Sequence, residues 1–156
     1  MFAIRPAESA ADVATARTLF REYADSLGID LCFQDFETEL ATLPGAYAPP
    51  TGALLLAEYA GAAVGCVALR PLEPPSVAEL KRLYVAPSAR GTGLGAALTE
   101  AILTRAREAG YARVRLDTLP TMAAAQALYR RFGFHEVAPY RVNPIAGALY
   151  MECDLP

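Results

Sequence analysis

LKRLYVAPSARGTGLG, residues 80–95 of a 156-residue chain, is the stretch whose reading decides the fold. Leu80, Leu83 and Val85 give a strand its apolar side chains, Pro87 ends that strand, and Gly91, Gly93 and Gly95 leave the backbone after it bare. From Leu94 the apolar residues recur at Leu98, Ala101, Ile102 and Ala106, which is the spacing of one buried helix face. The glycines therefore sit at a helix N-terminus. There the first backbone N–H groups lack intrahelical partners and the macrodipole adds partial positive charge, so the position suits a phosphate. Glycine lets ligand oxygens approach the main chain, and Arg90 supplies a fixed cation at the mouth of the loop. The stretch reads as a pyrophosphate cradle. Two other readings compete. One is a glycine-rich turn with no ligand. The other is the dinucleotide fingerprint, which Gly91-x-Gly93-x-x-Ala96 with Asp117 downstream fits in part. Against the fingerprint, Pro87, Ser88, Ala89 and Arg90 separate strand from glycine, the strand carries Lys81 and Arg82, and repeated strand–helix units are missing elsewhere.

Working outward, residues 112 to 119 alternate Val114 and Leu116 with Arg113, Arg115 and Asp117, a strand with one face less buried. Strand, crossover helix and strand imply a parallel pair. A helix opened by Pro120 and Thr121 follows, with Met122, Ala125, Leu128, Tyr129 and Phe132 on one face and Gly133 as its stop. Residues 134 to 137 and 149 to 155 are closing strands around a loop that contains Pro139, Tyr140, Asn143, Pro144 and Gly147. Upstream, residues 53 to 59 and 63 to 70 form a hairpin about Gly61, and 77 to 85 extends it. The N-terminal strand, 2 to 5, is ended by Pro6. Ser9 and Asp12 then resemble a capping box ahead of a helix with Val13, Ala16, Phe20, Tyr23 and Leu27 on one face and Gly28 at its end. A shorter helix from about 34 to 43 buries Phe36 and Leu40 and stops at Pro44-Gly45. The expected class is α/β: a central, mostly antiparallel mixed sheet with one parallel pair and helices on both faces.

With 54% hydrophobic and 20% charged residues the composition is that of one ordinary globular domain, and a net charge of −3 argues against a general nucleic-acid binder. Lys81, Arg82, Arg90, Arg130 and Arg131 nevertheless cluster near the loop in sequence, which suits a small polyanionic ligand. No apolar run reaches the roughly 18 residues of a membrane span and the N-terminus lacks the core of a signal peptide, so a cytoplasmic location is expected. Cys32, Cys66 and Cys153 are odd in number and far apart, which speaks against a disulfide framework or zinc site. The single His135 reads as an ordinary strand residue, and no metal is expected.

Arg90, Gly93 and Gly95 after the strand ELKRLYV, followed by Ala125, Leu128, Tyr129, Gly133 and Phe134, form two signatures in the correct order, one helix and one strand apart. On these residues the sequence resembles the GNAT superfamily of acetyl-CoA-dependent N-acetyltransferases, over essentially its whole length as one domain. The resemblance implies acetyl-CoA as acyl donor and an amine acceptor, with Arg90, Gly91, Thr92, Gly93, Leu94 and Gly95 on the pyrophosphate. It also implies that the strand before the loop splays from its parallel neighbour, that Leu83, Tyr84 and Val85 line the acyl arm, and that the Val85 N–H donates to the thioester carbonyl. Such a donor is worth roughly 3 to 4 kcal/mol in the transition state. The family often has Asn at the start of the second signature, where this chain has Met122.

An alkyl amine with a pKa of about 10.4 is neutral in only about one molecule in 2,500 at pH 7, so a base helps. Glu79 is the candidate, against a bland role as surface carboxylate or ion-pair partner of Lys81 or Arg82. Tyr129, the tyrosine of the second signature, is the candidate acid for the departing thiolate, against a plain core role. Cys66, in an apolar strand with no neighbouring His, reads as a buried thiol rather than an acyl carrier. Tyr23, Tyr140 and Asn143 could touch the acceptor, and surface or core roles stay open for each. The acceptor itself is open among small amines, amino acids, drugs and protein amines, and either a monomer or a homodimer fits. A binding module that holds acetyl-CoA without turnover is the alternative function.

Overall fold

The structure, a computed structural model, describes residues 2–28 and 35–156; Cys32 and Gln34, the expected start of the second helix, lie outside them. One seven-stranded sheet runs in the order β1-β2-β3-β4-β5-β7-β6. The strands are β1 (Phe2–Pro6), β2 (Ala53–Tyr59), β3 (Ala62–Pro71), β4 (Val77–Val85), β5 (Arg113–Thr118), β6 (His135–Val137) and β7 (Leu149–Asp154). The helices are α1 (Ala10–Leu27), α2 (Phe36–Thr42), α3 (Leu94–Glu108) and α4 (Ala123–Arg131).

Every neighbouring pair is antiparallel except β4 and β5, which run parallel with α3 as the crossover. This is the expected mixed sheet and not a doubly wound one, which removes the structural setting of the dinucleotide reading. The C-terminal strand β7 inserts between β5 and β6.

Strands β2 and β3 read as nearly unbroken apolar runs because both their faces are covered. Leu54, Leu56, Cys66 and Ala68 face Ala16, Leu19 and Phe20 of α1 and Phe36 and Leu40 of α2. Leu55, Val67 and Leu69 face the opposite layer, built on Leu94, Leu98, Ile102 and Leu103 of α3 and Tyr129 of α4. At the start of α1, Ser9 accepts from the Asp12 N–H at 3.0 Å while Asp12 accepts from the Ser9 N–H, the capping box in both directions. The helix ends at Gly28 in the left-handed region, φ 66°. The last helix begins later than its sequence implies, because Pro120 and Thr121 are used in a turn closed by Met122 N–H on Leu119 O, and Met122 becomes the N-cap.

Two irregularities shape the centre. A Cβ at Gly65 would lie 2.9 Å from the Tyr84 carbonyl oxygen and against Leu98 and Leu94, so only glycine permits the close stacking of β3, β4 and α3 there. In β4, Cys66 opposes Tyr84 and Ala68 opposes Lys81, so Arg82 and Leu83 together face Val67. Such a bulge bends the strand and re-aims its side chains. Arg82 occupies the left-handed region at φ 62°, and Glu39 holds its guanidinium with two hydrogen bonds, 2.8 and 3.0 Å.

Candidate active site

The parallel pairing of β4 with β5 consists of Val77, Ala78 and Glu79 opposite Arg113, Val114 and Arg115, and stops there. Beyond Glu79 the strands diverge, and the wedge between them holds two clefts that share Tyr23, Leu27, Leu83 and Met122. The wider one, about 260 Å³, opens toward the α3 loop and is lined by Leu83, Tyr84, Val85, Arg90 and Gly95 with Ala125 and Leu128 of α4. The narrower one, about 30 Å³, lies at the vertex between Leu80, Lys81, Asp117, Tyr129 and Asn143. Tyr23, Tyr129 and Asn143, singled out from three separate parts of the sequence, meet here.

At the loop, Pro87–Ala89 makes one turn of 3-10 helix, and Gly91 and Gly93 then take φ of 76° and 86°. Both values favour glycine, and a Cβ at either would meet nothing within 4 Å, so the backbone is open on that side. Gly93 is the N-cap of α3 and has no side-chain cap. The helix ladder starts with Ala97 N–H on Gly93 O at 3.1 Å, so the amides of residues 93 to 96 precede any intrahelical acceptor. Leu94 buries its side chain in the core and offers only its backbone, and Thr92 turns its hydroxyl onto Ala89 O. Arg90 is exposed and donates from Nε to the Val85 carbonyl at 3.1 Å.

Consecutive amides of an extended strand face opposite edges. Ala86 N–H bonds Val64 O of β3 at 2.8 Å, so the Val85 N–H faces the other edge, the one that β5 has left. A carbonyl in the wider cleft would meet that donor.

Tyr129 is only 5% exposed, with its ring 5.6 Å from that of Phe134. Burial pushes its phenol well above the ordinary value, so the hydroxyl keeps its proton across the working pH range. Met122 lines both clefts, so a thioether stands where the related pattern often has an amide.

Glu79 sits in an ion-paired setting. It is fully buried, and its carboxylate accepts from Arg70 Nε at 2.8 Å, from the Tyr140 hydroxyl at 2.7 Å and from Arg141 Nη2. Lys81 Nζ stands 3.9 Å away. Burial alone would raise its pKa, but these cations outweigh burial and bring it down to about 2. A carboxylate so tightly held is a weak base, which speaks against Glu79 collecting the amine's proton and for the other role its sequence offers, an ion-pair partner of Lys81. Burial lowers the Lys81 ammonium to about 8, against the opposing pull of Glu79.

Lys81 and Arg82, near the loop in sequence, are buried in β4, beside Glu79 and Glu39 respectively. Cys66 is a buried thiol whose S–H donates to Arg82 O at 3.3 Å, and burial pushes it up, so it has no nucleophilic form near neutrality. His135 sits exposed on the edge strand β6.

Three participants escaped the sequence reading. Arg70 and Arg141 meet only through Glu79, from positions far apart in sequence. Asp117 reads from the sequence as one of the polar residues on the less buried face of its strand, or as the downstream acid of the dinucleotide fingerprint, and neither reading points to this cleft. Asp117 accepts from Asn143 Nδ2 at 3.2 Å. Among the described residues, no group of three His, Cys, Asp or Glu could hold a metal ion, and no helix is long and apolar enough to cross a membrane.

Residues 16–134 match the Acetyltransferase (GNAT) family. An uncharacterized N-acetyltransferase of Schizosaccharomyces pombe is 41% identical over 145 residues, covering 92% of this chain and 89% of that protein. The crystal structure of a ribosomal-protein-alanine N-acetyltransferase from Brucella melitensis is 27% identical, with TM-score 0.70, over 98% of this chain and 99% of that one. The PaiA N-acetyltransferase of Thermoplasma acidophilum, solved in complex with coenzyme A, shares the fold at 17% identity with TM-score 0.75, over 99% of both chains.

Proposed function

Because the chain belongs to the GNAT acetyltransferase family, we propose that it moves an acetyl group from acetyl-CoA directly to a primary amine while both are bound. The observation that carries this reading is the wedge between β4 and β5, with the unpaired start of α3 at one end and the inward-facing Val85 N–H along its wall.

In this reading the pyrophosphate lies on the amides of residues 91 to 95 with Arg90 beside it, and the pantetheine arm follows Leu83, Tyr84 and Val85 into the wider cleft. The thioester carbonyl accepts from Val85 N–H. Attack by nitrogen builds negative charge on that oxygen, and a donor already fixed by the sheet stabilises the charge without reorganising. As the carbon–sulfur bond breaks, Tyr129 gives its proton to the departing thiolate, and the proton that the nitrogen sheds on becoming an amide restores the phenol, leaving a free thiol and a neutral amide. A phenol made less acidic by burial arrives at this step fully protonated.

The amine attacks in its neutral form. The rising limb of the pH–rate profile therefore follows the acceptor's own pKa, and Glu79 serves as a positioning residue that anchors Arg141 and Tyr140 of the loop between β6 and β7. Thermal denaturation with acetyl-CoA, paired with a thiol-release assay over an amine panel, tests the reading. Donor at about 100 times its Kd stabilises by about 2.7 kcal/mol, which is several degrees for a domain of this size. A protein that melts higher yet releases no thiol with any amine is a binding module, and one that does neither overturns the reading altogether.

A further inference from the structure

The wedge contains two carboxylates in opposite circumstances. Glu79 is held by two guanidiniums, from Arg70 and Arg141, besides Tyr140. Asp117, on the wall of the vertex cleft, has the Asn143 amide as its hydrogen-bond donor; Lys81, on the same wall, acts on it through space, its nearer carboxylate partner being Glu79.

Two guanidiniums on one carboxylate leave positive charge in excess there, even before Lys81 is counted. The two open in different directions. Arg70 faces a separate surface cleft with Thr38, Glu39 and Thr42. Arg141 shares its loop with Asn143, two residues on, which lines the vertex cleft and bonds Asp117; the guanidinium itself lies on Glu79, outside the lining of that cleft. Arg141 is 22% exposed, and one of its five N–H donors is used on Glu79. The negative charge of Asp117 reaches it through space and contributes to keeping it charged.

An acceptor that fits must present a nitrogen to a carboxylate and an anion to a guanidinium. We propose that the acceptor is a small amino acid, its nitrogen donating to Asp117 and its carboxylate seated on Arg141. This rests on the acetyl-transfer reading above and narrows it. Asp117 accepts an N–H from the nitrogen whether or not it is protonated, so the contact survives the loss of the proton that precedes attack. A plain alkyl amine leaves Arg141 unmatched, and a polyamine sets a second cation against a site already positive. At about 30 Å³ the vertex admits the amino end alone.

Matched triplets test this: an amino acid, its carboxamide, and the amine left by decarboxylation, over several side chains and chain lengths, with kcat and KM read from thiol release. The carboxylate member should exceed both others in kcat/KM by about tenfold or more, the scale of one charge-assisted hydrogen-bond pair. Arg141→Gln should collapse that ratio toward one, chiefly through KM for the amino acid, and Arg141→Lys, which keeps charge without the planar fork, should leave an intermediate ratio. Asp117→Asn should weaken all three members together. Melting of each variant with acetyl-CoA controls for folding. Equal or better turnover of carboxamides or plain amines, or a ratio untouched by Arg141→Gln, overturns the inference and leaves the acetyltransferase reading intact. Absence of turnover with every amine removes both.

Discussion

The two ends of the wedge are made of different material. At the α3 end the working parts are backbone: amides freed by a helix start, two left-handed glycines, and one strand N–H turned into a gap. At the vertex they are side chains, with Arg70, Glu79, Asp117 and Arg141 drawn from β3, β4, β5 and the loop after β6. A backbone device serves whatever carries a diphosphate. A side-chain device can be rewritten one residue at a time, so the proposed function puts specificity at the vertex and cofactor use at the loop.

Three substitutions press on this contrast. The largest effect is expected from Tyr129→Phe, which keeps the packing against Phe134 and removes the proton donor. The turnover number should fall by about 10² to 10⁴ with KM for acetyl-CoA little changed. A Phe variant at full speed would assign Tyr129 to packing alone.

Next comes Glu79→Gln, which takes the anion from buried Lys81 and half-buried Arg70 and Arg141. Loss of one partner from such a cluster costs about 3 kcal/mol or more, on the order of 10 °C in melting temperature. The sign with pH is definite. Glu79 titrates at about 2 in the folded chain against an ordinary 4.5, so the folded state binds fewer protons in that interval. Its contribution is complete above about 4.5 and is lost as pH falls toward 2. Melting curves of the two proteins should therefore converge on acidification. If the variant instead melts like the parent at neutral pH and loses the rising limb of its pH–rate profile, Glu79 is the base after all.

The smallest effect is expected at the loop. Gly93→Ala forces φ of 86° on a residue with a Cβ, at a cost of about 1 kcal/mol, with open space around the added methyl. The melting temperature should drop by a few degrees while KM for acetyl-CoA rises and the preference among amines stays as it was. A changed amine preference would break the separation between the two ends.

The same contrast explains what could be read in advance. Leu54, Leu55 and Leu56 announce a strand covered on both faces, and Ser9 with Asp12 announces a helix start, because each needs only neighbours in sequence. Gly91 and Gly93 were legible for the same reason. The vertex was not. Lys81 and Arg82 look like surface cations beside an anion site until folding buries them, Lys81 beside Glu79 of its own strand and Arg82 on Glu39 of α2, and the bulge at Arg82 has no signature in LKRLYV. Tyr140 and Asn143 were found as loop residues of open role, and their partners, Glu79 and Asp117, lie on strands that no local pattern joins to that loop.

The brevity of the β4–β5 ladder has a mechanical meaning. Three rungs of backbone pairing join a half-sheet of four strands to one of three, and past them the two halves face each other across a seam. An acyl donor laid along that seam, as proposed above, would touch both sides and double as mortar: in place it would bond the two leaves of the sheet through itself, and each departure of coenzyme A would leave them more loosely knit.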